Sequence, residues 1–246
     1  MSGVSVKIGN FLFRNIFPIY NVLYPVLKNR QDKREISLMR LYVKPGENVL
    51  DIGANIGFYT KILSKLVGNK GQVFSFEPDS LNFRHLQRNC GTLPNVQLHN
   101  KAVSSEAGVL RIYKSAMLNV DHRTYPVDDY ESVEEIDCIS PDTFLPENQR
   151  IDFIKIDIQG FEMSAFGGMQ KILANNPNVK ILSEFWPYGL SKAGHTTEEF
   201  LNFFWNAGFQ VNLVKTTEFE LLTPENFKKY DIVDESVYMN IFVTRN

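Results

Sequence analysis

Four carboxylates and a pair of glycines carry the first chemical signal in this chain. Asp51 closes the apolar run Val49-Leu50-Asp51-Ile52, and Gly53 and Gly57 bracket the loop Gly53-Ala54-Asn55-Ile56-Gly57 behind it. Glycine there lets the backbone approach a ligand closely, because no Cβ obstructs it. A second apolar run ends in Phe76-Glu77-Pro78, about 20 residues past the loop, the distance at which an acid reaches ribose hydroxyls in nucleotide-binding βαβ units. Asp157 ends a third run and is followed by Gln159, Gly160 and Glu162, while Glu184 ends a fourth.

The loop discriminates between ligands. In a dinucleotide fingerprint starting at Gly53, the second and third glycine places fall on Asn55 and Phe58. That pattern disfavours a pyrophosphate and, with it, an NAD-dependent Rossmann oxidoreductase. A carboxylate at Asp51 repels a pyrophosphate and attracts a cation. S-adenosylmethionine, which carries an ammonium and a sulfonium, satisfies that charge requirement. A catalytically inactive module that keeps the cofactor site is the other class of reading these residues allow.

The elements that must position these groups follow from periodicity. From Asn48 onward, short apolar runs alternate with stretches of helical period, the signature of βαβ units and a parallel sheet. Strands are expected at Val49 to Ile52, Val73 to Glu77, Val96 to Val103, Phe153 to Ile158, Val179 to Phe185, Val211 to Val214 and Val237 to Val243. Helices are expected at Phe58 to Val67, Ser80 to Cys90, Glu162 to Ala174, Thr197 to Asn206 and Pro224 to Tyr230. The expected fold is α/β and Rossmann-like: a mostly parallel seven-stranded sheet with an antiparallel last strand and helices on both faces. Residues 46–246 form its domain, interrupted at about 108–140 by an insertion that lacks helical period, contains a short strand at Val109 to Tyr113 and lies over one end of the sheet. Residues 1–45 read as a helical extension packing on that domain.

Taken together and in order, Val49 to Gly57, Phe76-Glu77-Pro78, Asn100-Lys101-Ala102-Val103, Ile154-Lys155-Ile156-Asp157-Ile158-Gln159-Gly160-Phe161-Glu162 and Ser183-Glu184-Phe185 resemble the FkbM-type methyltransferases. The resemblance spans Asn48 to Phe209. It implies a class I S-adenosylmethionine enzyme that methylates hydroxyl groups on sugars or other natural products. It further implies that Asp51, Gly53, Asn55 and Gly57 hold the methionine part of the cofactor and that Glu77, next to Pro78, holds its ribose. Ala102 and Val103 would border the adenine, and Asp157 would lie near the transferred methyl group.

Methyl transfer is a displacement at carbon, so the protein must align the nucleophile and take its proton. The candidate bases are His122, Asp157, Glu162 and Glu184. His122 stands in Asp121-His122-Arg123 within the insertion, where loops over a sheet end commonly form substrate sites. There Asp121 can fix the ring and Arg123 can bind an acidic group. Glu162 and Glu184 complete the expected acceptor side. Asp157, Glu162, Glu184 and His122 are oxygen-rich enough for a hard cation, but no compact ligand spacing calls for one, and no metal is expected.

Whole-chain properties exclude other classes. A net charge of -2 over 246 residues gives no field that concentrates nucleic acid, so a small-molecule or glycan substrate is expected. Two cysteines, Cys90 and Cys138, in no ligand-like spacing point to neither a disulfide framework nor a zinc site, and suit the cytoplasm. Phe11 to Leu27 is rich in apolar and aromatic residues, but Arg14, Pro18 and Pro25 interrupt it. No integral membrane segment is therefore expected, although a peripheral membrane contact through the N-terminus is open.

Overall fold

The computed structural model describes residues 3–115 and 130–245 of the chain. Three helices come first, α1 (Gly3–Asn15), α2 (Phe17–Gln31) and α3 (Lys33–Tyr42). Then β1 (Asn48–Ile52), α4 (Phe58–Val67), β2 (Gln72–Phe76), α5 (Ser80–Cys90) and β3 (Val96–His99) build two βαβ units. The middle of the chain holds β4 (Ala102–Val103), β5 (Gly108–Ser115), β6 (Tyr130–Ile139) and α6 (Pro141–Phe144). It resumes alternation with β7 (Phe153–Ile156), α7 (Glu162–Gly167), α8 (Gln170–Asn175), β8 (Lys180–Phe185), α9 (Pro187–Lys192) and α10 (Thr197–Asn206). The last elements are β9 (Gln210–Val214), β10 (Phe219–Leu222) and β11 (Met239–Thr244).

The main sheet runs β10-β9-β11-β8-β7-β1-β2-β3. From β8 to β3 neighbouring strands are parallel, whereas β11 is antiparallel to both β8 and β9, and β10 to β9. The α/β class and the antiparallel closing strand stand as expected, with an eighth strand, β10, added at the edge. β1 is central: the chain leaves it for β2 on one side and returns through β7 on the other. A crevice must open at that reversal, beyond the carboxyl ends of the strands.

Alternation along the strands feeds two cores. Leu50, Ile52, Ile154 and Ile156 face α7, α8 and α10, where Phe166, Phe200 and Phe204 are fully buried together with Phe185 of β8. Val49, Val73 and Phe153 face the other way, onto Leu63 and Val67 of α4 and Ile36 and Met39 of α3.

Three expected elements break where local bonding overrides period. The run Val96 to Val103 is cut at Asn100, whose amide donates to the carbonyls of Glu77 (2.9 Å) and Pro78 (2.9 Å) and turns Ala102 and Val103 away to pair with β6. The helix expected over Glu162 to Ala174 splits at Gly168, which lies so close to Ser104 that a Cβ would stand 2.1 Å from its carbonyl oxygen. Of the helix expected at Pro224 to Tyr230, one 3₁₀ turn forms, Phe227–Tyr230. Most of the expected insertion is a hairpin: β5 and β6 pair antiparallel from Gly108 to Ser115 and form a three-stranded sheet with β4.

Phe200, fully buried, meets the rings of Phe166, Phe185 and Phe204 at 5.4 to 6.2 Å between centroids. Phe200→Ala is expected to lower unfolding free energy by about 3–5 kcal/mol in denaturant titration, because a shell of rigid rings cannot collapse onto the space.

Candidate active site

A cleft of about 760 Å3 opens beyond the carboxyl ends of β1, β2, β7 and β8. Its floor includes Gly53, Ala54 and Asn55, one flank Glu77, Pro78, Ala102, Val103 and Ile112, and the other Asp157, Gln159 and Glu184. Tyr24, Lys28, Gln31, Asp32 and Glu35 of the N-terminal helices close a further side.

The loop after β1 is shaped by close approach. Gly53 has φ of 80°, and a Cβ on it would stand 2.0 Å from the carbonyl oxygen of Asp157. Only glycine lets the ends of β1 and β7 pass so closely. Gly57 has φ of 90°, and a Cβ there would meet Cys90 Sγ at 2.5 Å and Leu86 at 2.8 Å. Its smallness therefore admits α5 rather than a ligand, and it is not on the cleft wall. Asn55, in the left-handed region at φ of 51°, turns its amide toward Glu77.

Glu77 is 5% exposed, yet its carboxylate lines the cleft. Oε2 accepts the Asn55 amide at 2.8 Å and Oε1 the Asp79 amide at 3.0 Å. The Asn82 side chain hydrogen-bonds the same carboxylate, which leaves acceptor capacity for a further donor. Burial, with the nearby Asp79 carboxylate, pushes its pKa up to about 8.

Asp157 and Glu184 meet through an intermediary. Gln159, whose φ is 57°, donates its amide to Asp157 Oδ1 at 3.1 Å and to Glu184 Oε2 at 3.2 Å. The turn depends on Gly160, where a Cβ would lie 2.4 Å from the Gly189 backbone. Burial opposes ionisation of Asp157, but the Lys155 and Lys28 ammonium groups outweigh it and hold the carboxyl below the usual range. Lys155, 5% exposed, reaches Asp157 Oδ2 at 3.6 Å and lies over the Tyr59 ring at 4.8 Å. Tyr59 donates its hydroxyl to Asp32 Oδ2, which also holds Lys28 at 2.6 Å.

Two expected site residues stand behind the wall. Asp51 is fully buried; its Oδ2 accepts the Thr60 hydroxyl at 2.6 Å, and burial raises its pKa. Glu162 is 1% exposed and accepts the Ile158 amide at 3.0 Å, so it staples the loop after β7. Asp121, His122 and Arg123 lie outside the described residues. Among the described residues, no three metal-ligating side chains gather.

Sequence reasoning missed Gln159, Lys155 and the side chains of α2 and α3. Lys155 had a visible signal: it alternates with Asp157 across Ile156 in an otherwise apolar strand, so it shares that acid's face. For Tyr24, Lys28 and Asp32, nothing local to the sequence announces which face of α2 meets the sheet.

A family model described as the methyltransferase FkbM domain matches residues 51–211. Among solved structures, a methyltransferase FkbM from Methylobacillus flagellatus superposes with a TM-score of 0.50 at 19% identity, over 80% of this chain and 43% of that one. An rRNA methylase from Streptococcus thermophilus gives 0.51 at 10% identity, over 86% and 93% of the two chains. A protein of Saccharolobus solfataricus named as a probable cobalt-precorrin-6B C(15)-methyltransferase (decarboxylating) is 35% identical over 72 residues, 28% of this chain and 36% of its own. This chain thus spans less than half the length of the first and the last of these relatives. At such identities the structural likeness establishes the fold.

Two buried carboxyls set a pH dependence. Glu77 at about 8 and Glu162, lifted by burial to about 7, both lie above the ordinary 4.5. A raised folded pKa contributes stability below the unfolded value that is lost as pH rises through the folded one. The thermal midpoint is therefore expected to fall as pH rises from about 4.5 to about 8, most steeply below about 7, where both groups contribute. Glu162→Gln, which keeps an acceptor for Ile158, should flatten the lower part of that decline in scanning calorimetry.

Proposed function

This chain belongs to the FkbM methyltransferase family, and from that premise we propose that it transfers the methyl group of S-adenosylmethionine to a hydroxyl on a sugar or other small natural product. The observation that carries the reading is one cleft holding Glu77 at one end and the Gln159-bridged carboxylates of Asp157 and Glu184 at the other.

The residues fit the cofactor. The Glu77 carboxylate, steadied by two backbone amides and the Asn82 side chain, has acceptor capacity left for a ribose hydroxyl. Ala102, Val103, Pro78 and Ile112 offer apolar walls to an adenine. The Cβ-free Gly53 keeps the floor low at the methionine end, and the negative field of Asp157 and Glu184 favours a cation there. Asp51 acts from behind the floor, through Thr60 and its charge, rather than by touch. When bound, S-adenosylmethionine supplies an electrophilic methyl on a sulfonium that leaves without protonation.

The chain's own task is to place the acceptor oxygen and take its proton. Asp157, held ionised beside Lys155, is a weak base but a good hydrogen-bond acceptor. Glu184 shares the same bridging amide, and in this reading it accepts the proton while Asp157 orients. Asp32, Glu35, Asp157, Glu184 and Glu235 all line the cleft. That acid-rich wall suits a neutral polyhydroxylated acceptor, whose hydroxyls donate, better than a polyanion. His122 with Asp121 and Arg123 remains the rival base on the acceptor side.

Glu77→Gln is expected to weaken S-adenosylhomocysteine binding by about 10- to 100-fold in calorimetry. Ribose hydroxyls favour ionised Glu77, so wild-type affinity should rise with pH up to about 8. Glu184→Gln should leave that affinity intact and lower kcat by about 10²–10⁴-fold with a glycan or natural-product acceptor. If His122→Ala produces that loss and Glu184→Gln does not, the base is the histidine.

A further inference from the structure

Helix α2 has two faces with opposite chemistry. Tyr24 and Lys28 point into the cleft, and Asn21 exchanges amide hydrogen bonds with Asn89 of α5 at 2.8 and 2.9 Å. About 100° per residue around the helix, the opposite arc collects Ile19, Val22, Leu23, Val26 and Leu27. All five are exposed, Val22 by 68% and Val26 by 58%, and this 15-residue helix contains no buried residue. Phe11 of α1, 57% exposed, extends the apolar surface. Such a stripe on a helix normally faces a core.

The charge around it is one-sided. Residues 1–31 contain Lys7, Arg14, Lys28 and Arg30 and no acid, in a chain whose net charge is -2. Arg30 falls on the apolar arc. α5 likewise has no acid and carries exposed Arg84 and Arg88, which line a small hollow of about 310 Å3 with Arg14, Phe17 and Pro18. α1, α2 and α5 are fastened into one surface. Phe13 is buried, and Phe17 stacks on His85 with centroids 3.4 Å apart.

We infer that the α1, α2 and α5 face is an interfacial docking surface for an anionic phospholipid bilayer. Exposed aliphatic side chains enter the acyl boundary while arginines on the same face hold headgroup phosphates, the division of labour of helices that lie in the interface plane. No helix among the described residues is long and apolar enough to cross a membrane, so the contact is peripheral. Because the opposite face of α2 lines the cleft, docking brings the cleft within about one helix diameter of the lipid, on the order of 10–12 Å. The inference stands on this surface alone and does not depend on the proposed reaction.

The test is co-sedimentation of the full chain with vesicles of phosphatidylglycerol and phosphatidylcholine in equal parts, beside vesicles of phosphatidylcholine alone. Wild type is expected to pellet with the anionic vesicles, and to be released as salt shortens the screening length from about 10 Å to about 3 Å. Val22→Asp with Val26→Asp should reduce partitioning more than tenfold while leaving the thermal midpoint unchanged, since both side chains are exposed. Arg84→Gln and Arg88→Gln should each cost about fivefold. Wild type that stays in solution with anionic vesicles overturns the inference, as does a double aspartate variant that pellets equally well. A wild-type dimer in sedimentation velocity that the same variant makes monomeric also overturns it, and gives the face to a second copy of the chain.

Discussion

The site depends on how closely β1 and β7 pass at the point where the sheet reverses direction. Gly53 lies against the Asp157 carbonyl with no room for a side chain, and this proximity brings the loop after β1 and the acids after β7 to one cleft. The pairing Asp51 with Lys155 places those two on neighbouring strands in register, so the charge behind the floor and the charge at its edge are set by the same ladder. A one-residue slip would turn Lys155 to the opposite face and leave an ammonium in an apolar core.

That geometry forces charges into low-dielectric surroundings, and the neighbours decide which of them stay ionised. Glu77, Asp51 and Glu162 have raised pKa values because burial dominates. Asp157, a few residues from Glu162, is driven the other way by Lys155 and Lys28. The network runs on through Tyr59, which lies beneath Lys155 and donates to Asp32, the partner of Lys28. The N-terminal helices therefore take part in the electrostatics of the cleft. Lys28 pairs with Asp32 and, beside Lys155, helps to hold Asp157 ionised.

How much of this was legible in the sequence varied with the range of the interaction. α4, α5 and α10 begin and end where helical period places them, and local caps fix two of the starts: Asp79 accepts the amides of Leu81 and Asn82, and Thr196 and Glu199 form a reciprocal capping box. Each of those signals is contained within a few residues. The break at Asn100 depends on carbonyls more than 20 residues earlier, and the break at Gly168 on the backbone of Ser104. Gln159 could be read as part of a turn, but its bridging of Asp157 to Glu184 requires β7 and β8 to be neighbours. Gly57 shows the reverse: a glycine whose place invites a ligand-contact reading is required by the packing of α5.

Beyond the main sheet, the rim of the cleft is completed by elements added to it. In this chain the additions are α2 and α3 on one side and the β5–β6 hairpin, through Ile112, on the other. α2 is the more consequential of the two. One face supplies Tyr24 and Lys28 to the cleft, and the helix is fixed to α5 by the paired amides of Asn21 and Asn89 and by Phe17 on His85. A displacement of α2 would carry Lys28 away together with its i,i+4 partner Asp32, break the bond from the Tyr59 hydroxyl to Asp32 and reduce the positive field at Asp157. The apolar, arginine-flanked outer face and the charged inner face are thus mechanically one object, and whatever covers the first bears on the second.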